Sequence, residues 1–252
     1  KPWLNSAGKS VGGVDGEYGS GTHRAIRSFQ EYARLPVTGT LDYDTLAALN
    51  QLAPPPGVKA WQHAGTFVPT PFWTDGNGAT AMTFPLRVVV VKNEHRTYFF
   101  GRDGRIEKIF ANSIGTDATP TDRGLKVVTG KLNPASARAA SIKLWGTPNA
   151  FGNTGLINLS WLRAPSIPRG RGLDTFEELD PYISRSGEEL HGTMRYDQMG
   201  DRVSHGCIRH YNEDLKEMYD ALKEGDYVAV IDDLDDPMLR EAGGALVVQP
   251  GV

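Results

Sequence analysis

The chain has 252 residues, 27 Lys+Arg against 30 Asp+Glu for a net charge of -3, and a single cysteine. Charge this near balance gives no electrostatic case for nucleic acid or an anionic membrane as partner. No apolar run approaches the roughly eighteen residues that mark a transmembrane segment, and a lone cysteine excludes an intramolecular disulfide.

The length suits one large domain or two modest ones. Lys1-Pro2-Trp3 leads into polar, Gly-rich sequence instead of the apolar core of a signal peptide. A cytoplasmic protein and the trimmed form of an exported one both fit that pattern.

Residues 1–52 read as a small helical module. Asp15-Gly16 and Tyr18-Gly19 are turn chemistry. Thr22 suits an N-cap, and Ala25, Ile26, Phe29, Tyr32 and Ala33 recur at the spacing of one helical face. Val37-Thr38-Gly39-Thr40 breaks that helix, and Asp42 caps a second in which Leu46 and Leu49 face inward. This stretch, with Asp15-Gly16-Glu17-Tyr18-Gly19, Phe29-Gln30, Leu35-Pro36-Val37-Thr38-Gly39-Thr40-Leu41-Asp42 and Thr45-Leu46, resembles the peptidoglycan-binding domain of bacterial wall enzymes. The module either grips glycan or has become structural.

Residues 53–83 have the composition of a linker, stiffened by Pro54-Pro55-Pro56. Trp61, Phe67, Phe72 and Trp73 predict that it packs on the domain that follows rather than serving as a sugar-stacking platform.

Residues 84–232 form the expected catalytic domain. Leu86 to Val91 is a β-branched run, Arg96 to Phe100 a second strand, and Gly101 to Gly104 a turn into a third, Arg105 to Ile114. Strands without intervening helices predict an antiparallel, sandwich-like or barrel-like sheet. The fold class is therefore α+β, with a mainly-β catalytic domain after a helical module. Residues 131–185 are proline-rich, with Trp145, Phe151 and Trp161 among them, and predict a lid insertion over a cleft. Beyond the cysteine, Asn212 suits an N-cap, with Leu215, Met218, Tyr219 and Leu222 on one apolar stripe and Lys223 and Gly225 closing the helix. Tyr227 to Ile231 is a last strand. Asp232, Asp233, Asp235 and Asp236 lack the glycine and distal glutamate of a calcium loop, so 233–252 reads as a solvated tail.

Chemistry concentrates at His191-Gly192-Thr193 and Ser204-His205-Gly206-Cys207-Ile208-Arg209. A nucleophilic cysteine needs its thiolate, which a nearby imidazole supplies, and Gly206 leaves the backbone open to close approach. A zinc site on Cys207, His205 and His191 lacks the paired ligand spacing of structural zinc. A papain-like protease would need its own local signature, which is missing. His23, His63 and His95 belong to no constellation, and His210 is expected to point away from the nucleophile, at the surface.

The two motifs, with Asn212-Glu213-Asp214 downstream, resemble the signature of the L,D-transpeptidase (YkuD) catalytic domain. Gly115-Thr116 with Thr119-Pro120-Thr121 and Gly124 resembles that family's G…T-P-x-G turn, lengthened by Asp122-Arg123. The resemblance implies that Cys207 attacks the third residue of a donor stem peptide of bacterial peptidoglycan. D-Ala leaves, and an amine on a neighbouring stem resolves the thioester into a 3→3 cross-link. It implies His191 as general base oriented by the Gly192 carbonyl, and amides around Gly206 and Cys207 as oxyanion hole.

His205 either assists there or supports the loop, and Ser204 is a loop hydrogen-bonder rather than a second nucleophile, grouped with Arg209 and Thr193 as substrate-binding. Arg209 either grips a substrate carboxylate or makes a structural ion pair, and Thr193 lines the substrate site. No cofactor or metal is called for. Export to periplasm or cell wall follows, where one unpaired cysteine is tolerated as the nucleophile, and a carbapenem would acylate it. Water as acceptor would make an L,D-carboxypeptidase, and an outer-membrane protein or lipoprotein as acceptor would make a protein-anchoring enzyme. A non-catalytic wall-binding protein is the alternative from another class.

Overall fold

The computed structural model describes residues 18–52, 72–74, 80–83, 86–102, 106–162, 183–233, 236, 239–242 and 245–248. Helix α1 (Ser20–Ala33) starts two residues ahead of Thr22, with Gly19 as N-cap, and ends at Arg34 in the left-handed conformation. It buries Ala25, Ile26, Phe29 and Gln30, whereas Tyr32, expected on that face, is 63% exposed. The buried Gln30 explains the tight turn that follows. Its amide donates to Thr38 Oγ1, the Thr40 carbonyl and Thr45 Oγ1 at 2.8–2.9 Å, and its carbonyl accepts from the Gly39 N–H. The two-residue strand β1 (Leu41–Asp42) leads into α2 (Tyr43–Leu52), where Asp42 caps as expected by accepting from the Thr45 N–H at 2.9 Å.

Of the stretch read as a linker, only the paired strands β2 (Phe72–Thr74) and β3 (Thr80–Thr83) are described, so Trp61, Phe67 and the packing expected of the segment lie outside the described residues. The strands β4 (Leu86–Val91), β5 (Arg96–Phe100) and β6 (Ile106–Ala111) form the expected meander. The third run is cut short at Ala111, and the bridge Ser113↔Arg209 and the short strand β7 (Ile114–Gly115) redirect it.

The segment expected as an irregular lid is largely regular where it is described. Strand β8 (Gly124–Leu132) runs into α3 (Pro134–Trp145), and β9 (Leu156–Leu162) then returns antiparallel to β8. Asn133 caps α3 by accepting from the Ser136 N–H, with Pro134 at the first helical position, where a missing N–H costs nothing. Residues 163–182 lie outside the described set.

The site elements follow: β10 (Ile183–Gly192), a 3₁₀ turn Tyr196–Gln198, β11 (Arg202–Ser204), β12 (Ile208–His210), α4 (Asn212–Ala221) and β13 (Tyr227–Ile231). The expected tail is not simply solvated. Strands β14 (Leu239–Ala242) and β15 (Ala245–Val248) pair, and Asp236 is buried, accepting from Arg123 Nε at 2.7 Å and from the Asp232 N–H at 3.1 Å.

Nine strands form one sheet in the order β1-β6-β5-β4-β13-β8-β9-β10-β12. The sheet is mixed rather than antiparallel, since β13 runs parallel to β4 and β12 parallel to β10. Both parallel pairs arise because a long connection, not a hairpin, brings the later strand back.

All six residues of β4 are buried, and Val88 to Val91 alternate between two cores. Val89 and Val91 pack in one with Tyr18, Ile26, Leu46 and Tyr211, and Val88 and Val90 in the other with Leu215 and Met218 of α4 and Leu222 just after it. Each such side chain stabilises the fold by roughly 1.5–3 kcal/mol. The N-terminal helices thus share a core with the catalytic sheet, and β1 pairs with its edge strand β6.

Candidate active site

Parallel pairing sets the site. β10 and β12 run side by side in the register Leu190↔Ile208, His191↔Arg209 and Gly192↔His210. His191, Cys207 and Arg209 therefore line one cavity of about 290 Å³, with Thr193, Ser204 and His205. Its opposite wall is Trp145, Thr147, Asn149, Ala150 and Phe151, from the end of α3 and the turns after it, so the expected lid segment does reach the cleft.

The loop carrying Cys207 is fixed by its own backbone and by the 115–121 turn. Ser204 Oγ donates to the Cys207 carbonyl at 2.5 Å and accepts from the Gly206 N–H at 3.2 Å. Thr121 Oγ1 donates to the Gly206 carbonyl at 2.7 Å and accepts from the Gly115 N–H at 2.9 Å. Thr119 Oγ1 and the Thr116 N–H both donate to the Ser204 carbonyl. Gly206 sits at φ +108°, where an L side chain is strained. Ser204 is thus the loop hydrogen-bonder expected of it. The Gly206 amide, expected in an oxyanion hole, is instead engaged by Ser204.

His191 is buried, with its ring edge-on to Phe151 at 5.1 Å. Its Nδ1 lies 2.6 Å from the Gly192 carbonyl oxygen, which can only accept, so Nδ1 carries the proton and Nε2 is left with its lone pair. Burial pulls the imidazole pKa down to about 4. The Gly192 carbonyl opposes that shift, and the Arg209 charge adds to it.

Cys207 is pushed up to about 12, first by burial and then by the negative charge of Glu189, whose Oε2 accepts from Sγ–H at 3.4 Å. Near neutral pH the resting pair is therefore a neutral thiol and a neutral imidazole. Gly192 leaves room beneath the strand, since a Cβ there would meet Asn212 Oδ1 at 2.1 Å.

Asn212 is not the N-cap, a place taken by Tyr211. Its amide donates to the Thr193 carbonyl at 3.0 Å and the Tyr196 hydroxyl at 3.1 Å, tying α4 to the residues after His191. Thr193 is buried, and its Oγ1 accepts from the Arg195 N–H. His205 is exposed and rests on Trp145, with ring centroids 5.0 Å apart.

The Arg209 guanidinium makes no hydrogen bond or ion pair among the described residues. Its buried Nε lacks a partner, and burial lowers its pKa. The structural ion pair weighed for it is thus not present there.

His210 does face away from the sulfur but is fully buried rather than at the surface. Its Nε2 lies 2.9 Å from Thr97 Oγ1, and burial lowers its pKa to about 3. His23 stacks on Tyr211 at 4.3 Å. No group of three or more acidic, histidine or cysteine side chains among the described residues has the arrangement of a metal site.

Glu189 and Asn212 were not singled out as site residues from sequence. Glu189 was findable, because two positions before His191 on a strand is the same face.

Residues 85–231 match the family profile of the L,D-transpeptidase catalytic domain, YkuD, and residues 1–49 match that of a peptidoglycan binding domain. The "Probable L,D-transpeptidase ErfK/SrfK" of Escherichia coli K12 is 28% identical over 154 residues, covering 58% of this chain and 44% of that protein. The chain thus spans less than half the length of this relative. Among solved structures, an L,D-transpeptidase from Stackebrandtia nassauensis aligns over 91% of this chain and 88% of its own, at 16% identity and a TM-score of 0.39. One from Xylanimonas cellulosilytica aligns over 91% and 89%, at 19% and 0.38. With more than half of its residues inside the YkuD match, this chain belongs to the L,D-transpeptidase catalytic domain family of enzymes.

Proposed function

We propose that the chain is an exported enzyme that builds 3→3 cross-links in bacterial peptidoglycan through a thioester on Cys207. The observation that carries this reading is the His191 tautomer. With Nδ1–H held by the Gly192 carbonyl, the basic Nε2 is left for the cavity that Cys207 also lines. Since thiol and imidazole both start neutral, the proton moves from Sγ to His191 as the sulfur attacks the donor carbonyl, not beforehand. His191 then delivers that proton to the leaving D-Ala amine.

Burial that makes imidazolium and thiolate costly in the resting state also strengthens each stabilising dipole in the transition state. The oxyanion falls to the backbone N–H of Cys207, because Gly206 already donates to Ser204. Arg209, without a partner among the described residues, supplies a bidentate grip for a stem carboxylate. Trp145, Phe151 and Met194 offer apolar contact to the peptide, and the wall from Trp145 to Phe151 acts as the lid.

The test is mass spectrometry after incubation with a disaccharide-tetrapeptide, run beside Cys207→Ala. The expected product is a dimer that has lost one D-Ala, with a transient adduct on Cys207 and neither in the variant. Tripeptide alone would mean a carboxypeptidase, or a protein acceptor absent from the tube. Turnover retained in Cys207→Ala would overturn the mechanism.

A further inference from the structure

The Glu189 contact runs against the first half of this reaction. A carboxylate whose Oε2 lies 3.4 Å from Sγ opposes formation of the thiolate, so it does not help the sulfur attack. No cation among the described residues is paired with it, and its recorded side-chain hydrogen bond is the one from the thiol.

Glu189 also borders a second cavity, of about 620 Å³, whose wall includes Glu188, Asn158, Ser160, Thr129 and Arg185. This cavity shares none of its described lining residues with the one around His191. Of the other charges nearby, the neighbouring carboxylate is committed. Glu188 is ion-paired to the buried Lys126, which lies over the Trp161 ring, and accepts from the Asp122 N–H at 2.6 Å. Arg185, exposed at the rim, is the one cation among the described residues of this wall. The sulfur thus lines the cavity holding Arg209 and Arg195, and 3.4 Å from it lies the carboxylate of Glu189, a residue that borders the second, polar cavity.

Resting on the function proposed above, we propose that Glu189 is the acceptor-side catalytic base: it binds the ammonium of the incoming amine in the second cavity and takes its proton. Once Sγ is acylated it has no proton to donate, and Glu189 loses its partner at the moment the second substrate is needed. The acceptor ammonium gives one proton to the Glu189 carboxylate, and the freed amine forms the C–N bond as the C–S bond breaks. The second N–H proton ends on the sulfur, restoring the thiol, and Glu189, half-exposed, returns its proton to solvent. Burial raises the carboxyl pKa above the ordinary carboxylate value, which strengthens it as a base. The substrate class implied is a cationic primary amine, such as the side chain of a diamino acid.

The experiment compares wild type with Glu189→Gln on the disaccharide-tetrapeptide donor, measuring the ratio of amide product to hydrolysed tripeptide. Two acceptors are used: N-α-acetyl-lysine, protonated at neutral pH, and methoxyamine, which is not. The expected result is a ratio lowered on the order of 100-fold in Glu189→Gln for acetyl-lysine but changed by less than about threefold for methoxyamine. Equal loss with both amines, or no loss with either, would overturn the assignment. So would a Glu189→Gln protein that forms no adduct, because the assigned role begins after acylation. A wild type with no adduct on Cys207 would instead sink the proposed function, and this assignment with it.

Discussion

The loop that carries Cys207 and the wall that faces it, Trp145 to Phe151, differ in how many constraints hold each. Three threonine or serine hydroxyls and the Thr116 N–H converge on Ser204, Gly206 and Cys207, all from buried or partly buried positions. The wall rests on a small cluster of Ala137, Phe151 and Leu156, with Ser141 Oγ bridging the Thr147 carbonyl and the Ala150 N–H. Ile142, Leu144 and Trp145 on its helix stay about half exposed or more. A reacting atom tolerates little displacement, whereas a peptide-holding surface gains from yielding.

The sharpest way to break this contrast is Gly192→Ala. The added Cβ collides with Asn212 Oδ1 and displaces the carbonyl that orients His191. Activity should fall by at least about 100-fold, and stability by roughly 1–3 kcal/mol in denaturant titration. An unaffected kcat would mean that the histidine is not oriented from below.

Thr121→Val comes next. It keeps the shape but strips the Gly115 N–H of its acceptor and the Gly206 carbonyl of a donor, at a cost of about 2 kcal/mol by calorimetry. Turnover should fall roughly 10- to 100-fold as the loop loosens.

Acid should act through the buried histidines. His191 and His210 are held neutral at pKa values of about 4 and about 3, against about 6.5 when unfolded. The unfolded chain then binds more protons below pH 6.5, so stability is full above that pH and is lost as pH falls through 4 and then 3. The His191 share is on the order of 3 kcal/mol. Urea titrations at pH 7, 5 and 4 should show a falling midpoint.

The smallest effect is expected on the wall. Trp145→Ala should raise KM severalfold with kcat unchanged, and shift stability by less than about 0.5 kcal/mol. A kcat loss matching that of Thr121→Val would erase the distinction between the two sides.

The contiguous motif from Ser204 to Arg209 and the β-branched run from Leu86 to Val91 were legible because a local pattern carries each. Pairings between distant segments were not. Two residues, Leu41 and Asp42, add an edge strand beside Lys108 and Ile109, and nothing in so short a run announces it. Asn212 looks like a cap by type and position, yet its amide is drawn to Thr193 by tertiary contact. Tyr32 has helical spacing but falls at the edge of the apolar stripe, where Gln30 instead goes inward because three hydroxyl or carbonyl partners await it. Glu189, by contrast, was legible, because the irregular register ends before it and it alternates regularly with His191.

A sulfur whose pKa stands near 12 has a consequence beyond its reaction with peptides. Peroxides and disulfides attack thiolates, not thiols, and the first step towards sulfenic acid scales with the thiolate fraction. Held protonated, Cys207 would be a poor target for stray oxidants and for mixed-disulfide formation, although it is half-buried and beside an open cavity. The chain can thus carry one unprotected cysteine in an oxidising setting without a reducing partner to restore it. The same burial that makes the thiolate costly at rest would also shield the sulfur from oxidants.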